Sequence, residues 1–147
     1  MIKNNFMNIL CERDNRIHAL YAIWAKSKGI NYNILTVLCS IYKSKGCTQR
    51  QICDEWCLPK QTVNTTCKEL LNLEFLTSEK NTTDKRETTL LLTDKGYEFI
   101  LPICEELNSI EENIFYTMGQ DKVCKLMELY LEYSELVESN FVEMFRK

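Results

Sequence analysis

Apolar residues recur at helical spacing along most of this chain. Phe6, Ile9, Leu10, Ile17, Leu20, Tyr21 and Trp24 predict one long helix over 6–28, closed near Gly29. Residues 32–43, YNILTVLCSIYK, are strongly apolar and predict a short helix at the centre of the core. Ser44-Lys45-Gly46 breaks it. Thr48, with Gln51 three residues on, is a capping-box pattern that opens a further helix. Ile52, Cys53 and Trp56 give that helix its inward face. Pro59 suits the first turn of the next helix, where a missing N–H costs nothing. In that helix Val63, Cys67, Leu70 and Leu71 fall on one stripe, and Gln61, Asn64, Thr65 and Lys68 on the other side.

The pattern then changes. Phe75-Leu76-Thr77 predicts a short strand, and the Thr- and Leu-rich segment 87–92 predicts a second. Between them lies a polar, turn-prone tip, 81–86, and Lys80, Lys85 and Arg86 make this hairpin basic. Thr93 caps another helix, with Asp94 in its first turn, and that helix runs over 94–117 with Pro102 as a candidate kink. Gly119-Gln120-Asp121 is a break. The last helix, 121–146, places Val123, Leu126, Met127, Tyr130, Val137, Phe141 and Met144 at steps of three and four. Both ends of the chain thus carry apolar stripes that nothing else in the sequence covers. A twofold dimer is the simplest way to bury them, and it suits two half-sites about one turn of DNA apart.

Composition narrows the class. With four Gly and two Pro in 147 residues, a mainly α protein of one domain is expected. No apolar run approaches the ~20 residues that span a bilayer, and the first residues do not form a secretory signal, so a cytoplasmic protein is expected. Charge is uneven: residues 1–42 hold five basic and two acidic side chains, 43–95 nine and eight, and 96–147 four and eleven. The acidic last third would repel phosphates, so nucleic-acid contacts belong to the first two thirds. The eight cysteines read as reduced thiols acting as small hydrophobes. Cys53 and Cys57 are four apart, but without a second pair, and with His18 as the only histidine, neither a metal nor another cofactor is expected.

The order of these pieces suits a winged helix-turn-helix. A helix with an outer face of amides, hydroxyls and lysine suits base edges and phosphates in the major groove. An arginine on a thin hairpin suits the minor groove. The chain resembles the MarR family of winged-helix transcription regulators over nearly its whole length. The matching motifs are TQRQICDEW, LPKQTVNTTCKELL and DKRETTLLLTDKG, the last carrying Asp-x-Arg, an apolar strand and Leu-Thr-x-x-Gly. The resemblance implies one MarR-like domain over 1–147, with a winged-helix DNA-binding region at 30–95 and dimerisation helices at 1–29 and 96–147. It implies a homodimer on palindromic promoter DNA, a repressor released by a small aromatic or phenolic ligand. Carried over by position, Lys60, Gln61, Thr62, Asn64, Thr65 and Lys68 match the recognition helix. Thr48, Gln49 and Arg50 match the phosphate-contacting start of the preceding helix, Lys85 and Arg86 the wing, and Asp84 the acid that steadies the arginine. A ligand cleft would draw on His18, Tyr21, Trp24 and Tyr42, with Tyr32 and Trp56 beside them.

The chain departs from the family in three places. Glu74 stands where the family has Gly, so the turn after the recognition helix is expected to differ or to be strained. The wing opens on Thr77-Ser78-Glu79-Lys80 without the usual arginine. The recognition helix has no arginine either, which disfavours bidentate guanine contacts and points to an A·T-rich operator. In the family's peroxide-sensing branch a cysteine precedes the His18-Ala19-Leu20-Tyr21 run; here that residue is Ile17. Two rival readings remain: a winged-helix protein-interaction module without sequence-specific DNA binding, and a regulator that senses redox state through another cysteine. An enzyme is not expected, since one histidine, no phosphate loop and no paired carboxylates leave no catalytic constellation.

Overall fold

The computed structural model describes residues 5–80 and 87–146. The chain divides after Cys104 into two units. The first holds α1 (Phe6–Ser27), α2 (Tyr32–Ser44), β1 (Cys47–Thr48), α3 (Gln49–Trp56), α4 (Lys60–Asn72), β2 (Leu76–Lys80), β3 (Thr88–Leu92) and the opening turns of α5 (Asp94–Met118). The second holds the remainder of α5 and α6 (Gln120–Phe145).

Helix α2 is the centre of the first unit, as its sequence predicts. Every residue from Ile34 to Ile41 is buried, because neighbours cover the helix on all sides. Asn31 caps it, its side chain accepting from the Ile34 N–H at 2.9 Å. Leu38, Ile41, Ile52, Val63, Leu70, Leu90 and Ile100 meet in one cluster drawn from α2, α3, α4, β3 and α5. Burying each such side chain contributes ~1.5–3 kcal/mol. Buried hydroxyls are paired locally; Thr36 donates to the Asn33 carbonyl at 2.9 Å.

The hairpin is part of a three-stranded antiparallel sheet in the order β1-β3-β2. Strand β1 pairs Cys47 with Leu90 and Thr48 with Thr89. Two residues are too few for alternation to announce a strand, so the sequence does not signal it. Strand β2 starts one residue later and runs three residues further than its apolar signal, to Lys80. Pairing with β3, from Leu76↔Leu92 to Lys80↔Thr88, holds the exposed end of β2 extended where side-chain propensity does not. The hairpin tip, with Asp84, Lys85 and Arg86, lies outside the described residues.

The predicted stops are present. Gly29 takes φ 78°, and α2 ends with Lys45 and Gly46 at φ 55° and 124°. Pro59 sits one position earlier than predicted, at the N-cap of α4. Helix α5 runs without interruption through Pro102, which is exposed. Helix α6 has no buried residue; Leu126 and Phe141 are 52% and 53% exposed. Along α1, Phe6, Ile9, Ile17, Leu20 and Ile23 are also exposed. Among the described residues no helix is long and apolar enough to cross a membrane.

Candidate nucleic-acid interface

The interface begins at the α3 N-terminus. The Thr48 hydroxyl accepts from the Gln51 N–H at 3.2 Å, and the Gln51 side chain accepts from the Thr48 N–H at 2.8 Å. This is the predicted capping box, and it leaves the other first-turn N–H groups for an anion. Thr48 is buried, Gln49 half-buried and Arg50 exposed. Arg50 lies 3.8 Å from Asp54, but both side chains are largely in water, so this pair yields readily to a phosphate.

Cys57 turns the chain from α3 into α4 at φ 49°, and α4 packs its apolar stripe inward. Val63, Cys67 and Leu70 are buried, together with Thr66, which the stripe did not predict. Lys60, Gln61, Thr65 and Lys68 are exposed, while Thr62 and Asn64 are half-buried. The outer face is therefore a strip of amide, hydroxyl and ammonium groups standing on a rigid base.

A cleft of about 250 Å³ joins the start of α3 to the base of the wing, lined by Thr48, Gln49, Arg50, Glu87 and Thr88. The β1–β3 pairing creates it by seating Thr48 against Thr89. Glu87 and Thr88 are the members sequence reasoning missed, and Glu87 sets the charge of the cleft. The Glu87 carboxylate opposes an anion in the cleft, so a phosphate there depends on Arg50 and the helix N-terminus.

Helix α3 is held from behind by a part-buried network. Ser40 Oγ donates to Glu55 Oε2 at 2.7 Å and accepts from Trp56 Nε1 at 2.7 Å. Nothing in the periodicity marks Ser40, yet it ties α2 to the helix that precedes the outer face. The proposed ligand aromatics are only partly gathered. His18 packs on Tyr32 with ring centroids 4.4 Å apart, and Tyr32 meets Trp56 edge-on at 6.4 Å. Burial first, then the neighbouring Tyr21, raises the Tyr32 phenol above its usual pKa. Tyr42 packs instead on Tyr97 at 5.7 Å, and Trp24 carries Lys28 over its ring at 5.6 Å.

Two core thiols are protonated at neutral pH. Burial, then Glu55, pushes Cys47 up to about 11. Burial, then Cys47 and Cys53, pushes Cys67 up to about 12. Among the described residues no three metal-ligating side chains come together.

A turn between two short helices, a polar outer face on the second, and an antiparallel sheet beside them define a winged helix-turn-helix transcription regulator. Residues 28–87 match the model of the MarR family, and the chain is similar to solved MarR family regulators over nearly its whole length. The proteins it matches are named as transcriptional regulators. A solved MarR family regulator from Neisseria meningitidis is 28% identical, covers 95% of this chain and 98% of its own, and superposes with a TM-score of 0.85. The HTH-type transcriptional regulator Hpr of Bacillus thuringiensis (strain Al Hakam) is 25% identical over 137 residues, 86% of this chain and 71% of Hpr. Reduced AbfR, solved bound to DNA, shares the fold at a TM-score of 0.70 with 23% identity, over 92% of this chain and 96% of its own.

Proposed function

We propose that the protein is a homodimeric repressor of palindromic promoter sites, released by a small aromatic or phenolic ligand. In this reading α4 enters the major groove, with Gln61, Thr62, Asn64 and Thr65 toward base edges and Lys60 and Lys68 toward phosphates. Thr48, Gln49 and Arg50 hold the adjacent phosphate, and Lys85 and Arg86 reach the minor groove. The observation that carries the reading is the exposed polar strip of α4 beside the capped start of α3. AbfR, which shares this fold, was solved on DNA.

Dimerisation draws support from the exposed apolar residues of α1 and α6, where Leu20 is 59% exposed. A second copy removes this surface from water and fixes the spacing of two α4 helices. Ligand release draws support from His18, Tyr21, Tyr32 and Trp56, which link α1 to α3. A ligand acts here only if it binds two head spacings with different affinity. The lack of arginine on α4 favours an A·T-rich site.

Selection of bound fragments from random duplexes tests the reading. The expected product is an inverted repeat with half-sites about 10 base pairs apart, centre to centre, rich in A·T. Recovery of no common motif contradicts it and favours the interaction-module reading.

A further inference from the structure

Cys39 on α2 and Cys104 on α5 face each other across the core. Their sulfurs are 3.4 Å apart, and each residue is 3% exposed. Of the remaining thiols, Cys53 is half-buried and the other five divide into two groups. Cys11, Cys57 and Cys124 are exposed. Cys47 and Cys67 are buried, and the medium around them raises their pKa. Within the buried set, Cys39 and Cys104 bring their two sulfurs into contact.

From this geometry we infer that Cys39 and Cys104 are a disulfide-forming modification site for hydrogen peroxide, and that closing the bond weakens DNA binding. The second half rests on the DNA-binding reading above. Burial favours a water-sized oxidant over bulky disulfides. The Cys104 thiol is held below its usual range, first by the hydrogen bond it shares with Cys39, against desolvation, with help from Lys43. Cys104 is thus the attacking sulfur and Cys39 the resolving one.

The chemistry balances in two steps. The Cys104 thiolate attacks one peroxide oxygen; the O–O bond breaks, and the departing hydroxide takes the proton that the thiol gave up. This leaves Cys104 as a sulfenic acid and releases one water. The Cys39 sulfur then attacks the Cys104 sulfur; the S–O bond breaks, and hydroxide leaves with the Cys39 proton as a second water. Two thiols lose two electrons, and the peroxide gains them. With its partner already in contact, the sulfenic acid is resolved before further oxidation.

The consequence for DNA follows from one neighbour. An S–S bond is ~2.0 Å long, so both sulfurs must draw together from 3.4 Å. Cys39 precedes Ser40, whose hydroxyl holds Glu55 and Trp56 of α3 at 2.7 Å each. Helix α2 cannot move toward α5 without loading those two bonds, and α3 packs on the α4 base that presents the polar strip.

The test uses the full reduced chain with hydrogen peroxide. Intact mass, a non-reducing peptide map and affinity for the selected duplex are followed together. The expected result is a mass lower by two hydrogen atoms, one Cys39–Cys104 crosslinked peptide, and binding weakened about tenfold or more, restored by dithiothreitol. Cys39→Ser and Cys104→Ser proteins should bind DNA when reduced, and peroxide should leave their affinity unchanged. Should either fail to fold, the parent's peptide map and affinity still decide. Oxygen added at Cys11, Cys57 or Cys124, with the pair still alkylated after unfolding, overturns the inference. A bond that forms with unchanged affinity overturns its regulatory half. Reduced parent protein that does not bind DNA overturns the functional reading separately, before oxidant is added, and the map still judges the bond.

Discussion

The hydroxyl of Thr93 donates to the carbonyl oxygen of Glu74 at 2.7 Å, clamping the residue that the chain holds at φ 60°. This left-handed turn lets α4 end and β2 begin. Thr93 also accepts from the Gly96 N–H at 3.0 Å, so one side chain closes the α4 turn and caps α5. Lys95 adds a bond to the Leu73 carbonyl at 2.7 Å. The expected strain at Glu74 is therefore present and held in place by the next helix.

A left-handed residue with a side chain costs about 1–2 kcal/mol that glycine escapes. Glu74→Gly is expected to stabilise the protein by about 1 kcal/mol, raising Tm by ~3 °C. Thr93→Val should lower stability by about 1–2 kcal/mol through the lost cap. Urea unfolding of both variants checks the pair; equal stability of Glu74→Gly and parent would show that the turn is relaxed.

Gly96 explains the end of the Leu-Thr-x-x-Gly motif. A Cβ there would overlap the Phe75 carbonyl, whose oxygen also accepts from the Thr93 N–H at 3.1 Å. Gly96→Ala must push β2 away from α5. A loss of about 3 kcal/mol is expected from backbone overpacking, with weaker DNA binding because the wing shifts. Thermal unfolding and binding of this variant are the measurement; a neutral result would contradict the close approach.

The two raised thiols set an alkaline limit. Cys47 and Cys67 keep their protons up to about 11 and about 12 in the folded chain, whereas the unfolded chain releases them near 9.0. Above pH 9 the unfolded state thus binds fewer protons, so stability falls as pH rises. The slope is on the order of 1 kcal/mol per pH unit for each thiol. Unfolding free energy measured from pH 8 to 10.5 should decline, and less steeply in Cys67→Ala. Identical slopes would remove the burial argument.

Trp56→Phe removes the donor to Ser40 and keeps most of the ring. Leaving the Ser40 oxygen without that bond costs about 1 kcal/mol. DNA affinity should fall more than stability does, because α3 loses its anchor to α2. Isothermal titration beside chemical unfolding separates the two effects.

Much of the fold was legible in the sequence because its helices follow a clear period. The α3 cap and α4 stripe needed only Thr48, Gln51, Val63, Cys67 and Leu70. Strand β1 was not legible, since two residues carry no period and its pairing with β3 crosses some forty positions of chain. The Ser40–Glu55–Trp56 network and Glu87 at the cleft were missed for a related reason. Each depends on residues from separate elements, and none breaks a local pattern. His18 packs on the Tyr32 ring and Tyr21 acts on the Tyr32 phenol through its charge, whereas Tyr42 is drawn to Tyr97 on α5, a partner that helical spacing does not show.

A salt titration of binding to the selected duplex and to a scrambled one, with parent, Lys68→Ala and Gln61→Ala, tests the central claim most directly. If α4 reads the major groove, Lys68→Ala lowers the salt slope by about one on both duplexes. Gln61→Ala keeps the slope and loses preference for the selected duplex by about 1–3 kcal/mol. Equal weak binding to both duplexes, unchanged in either variant, would contradict the assignment of α4 as the reading helix.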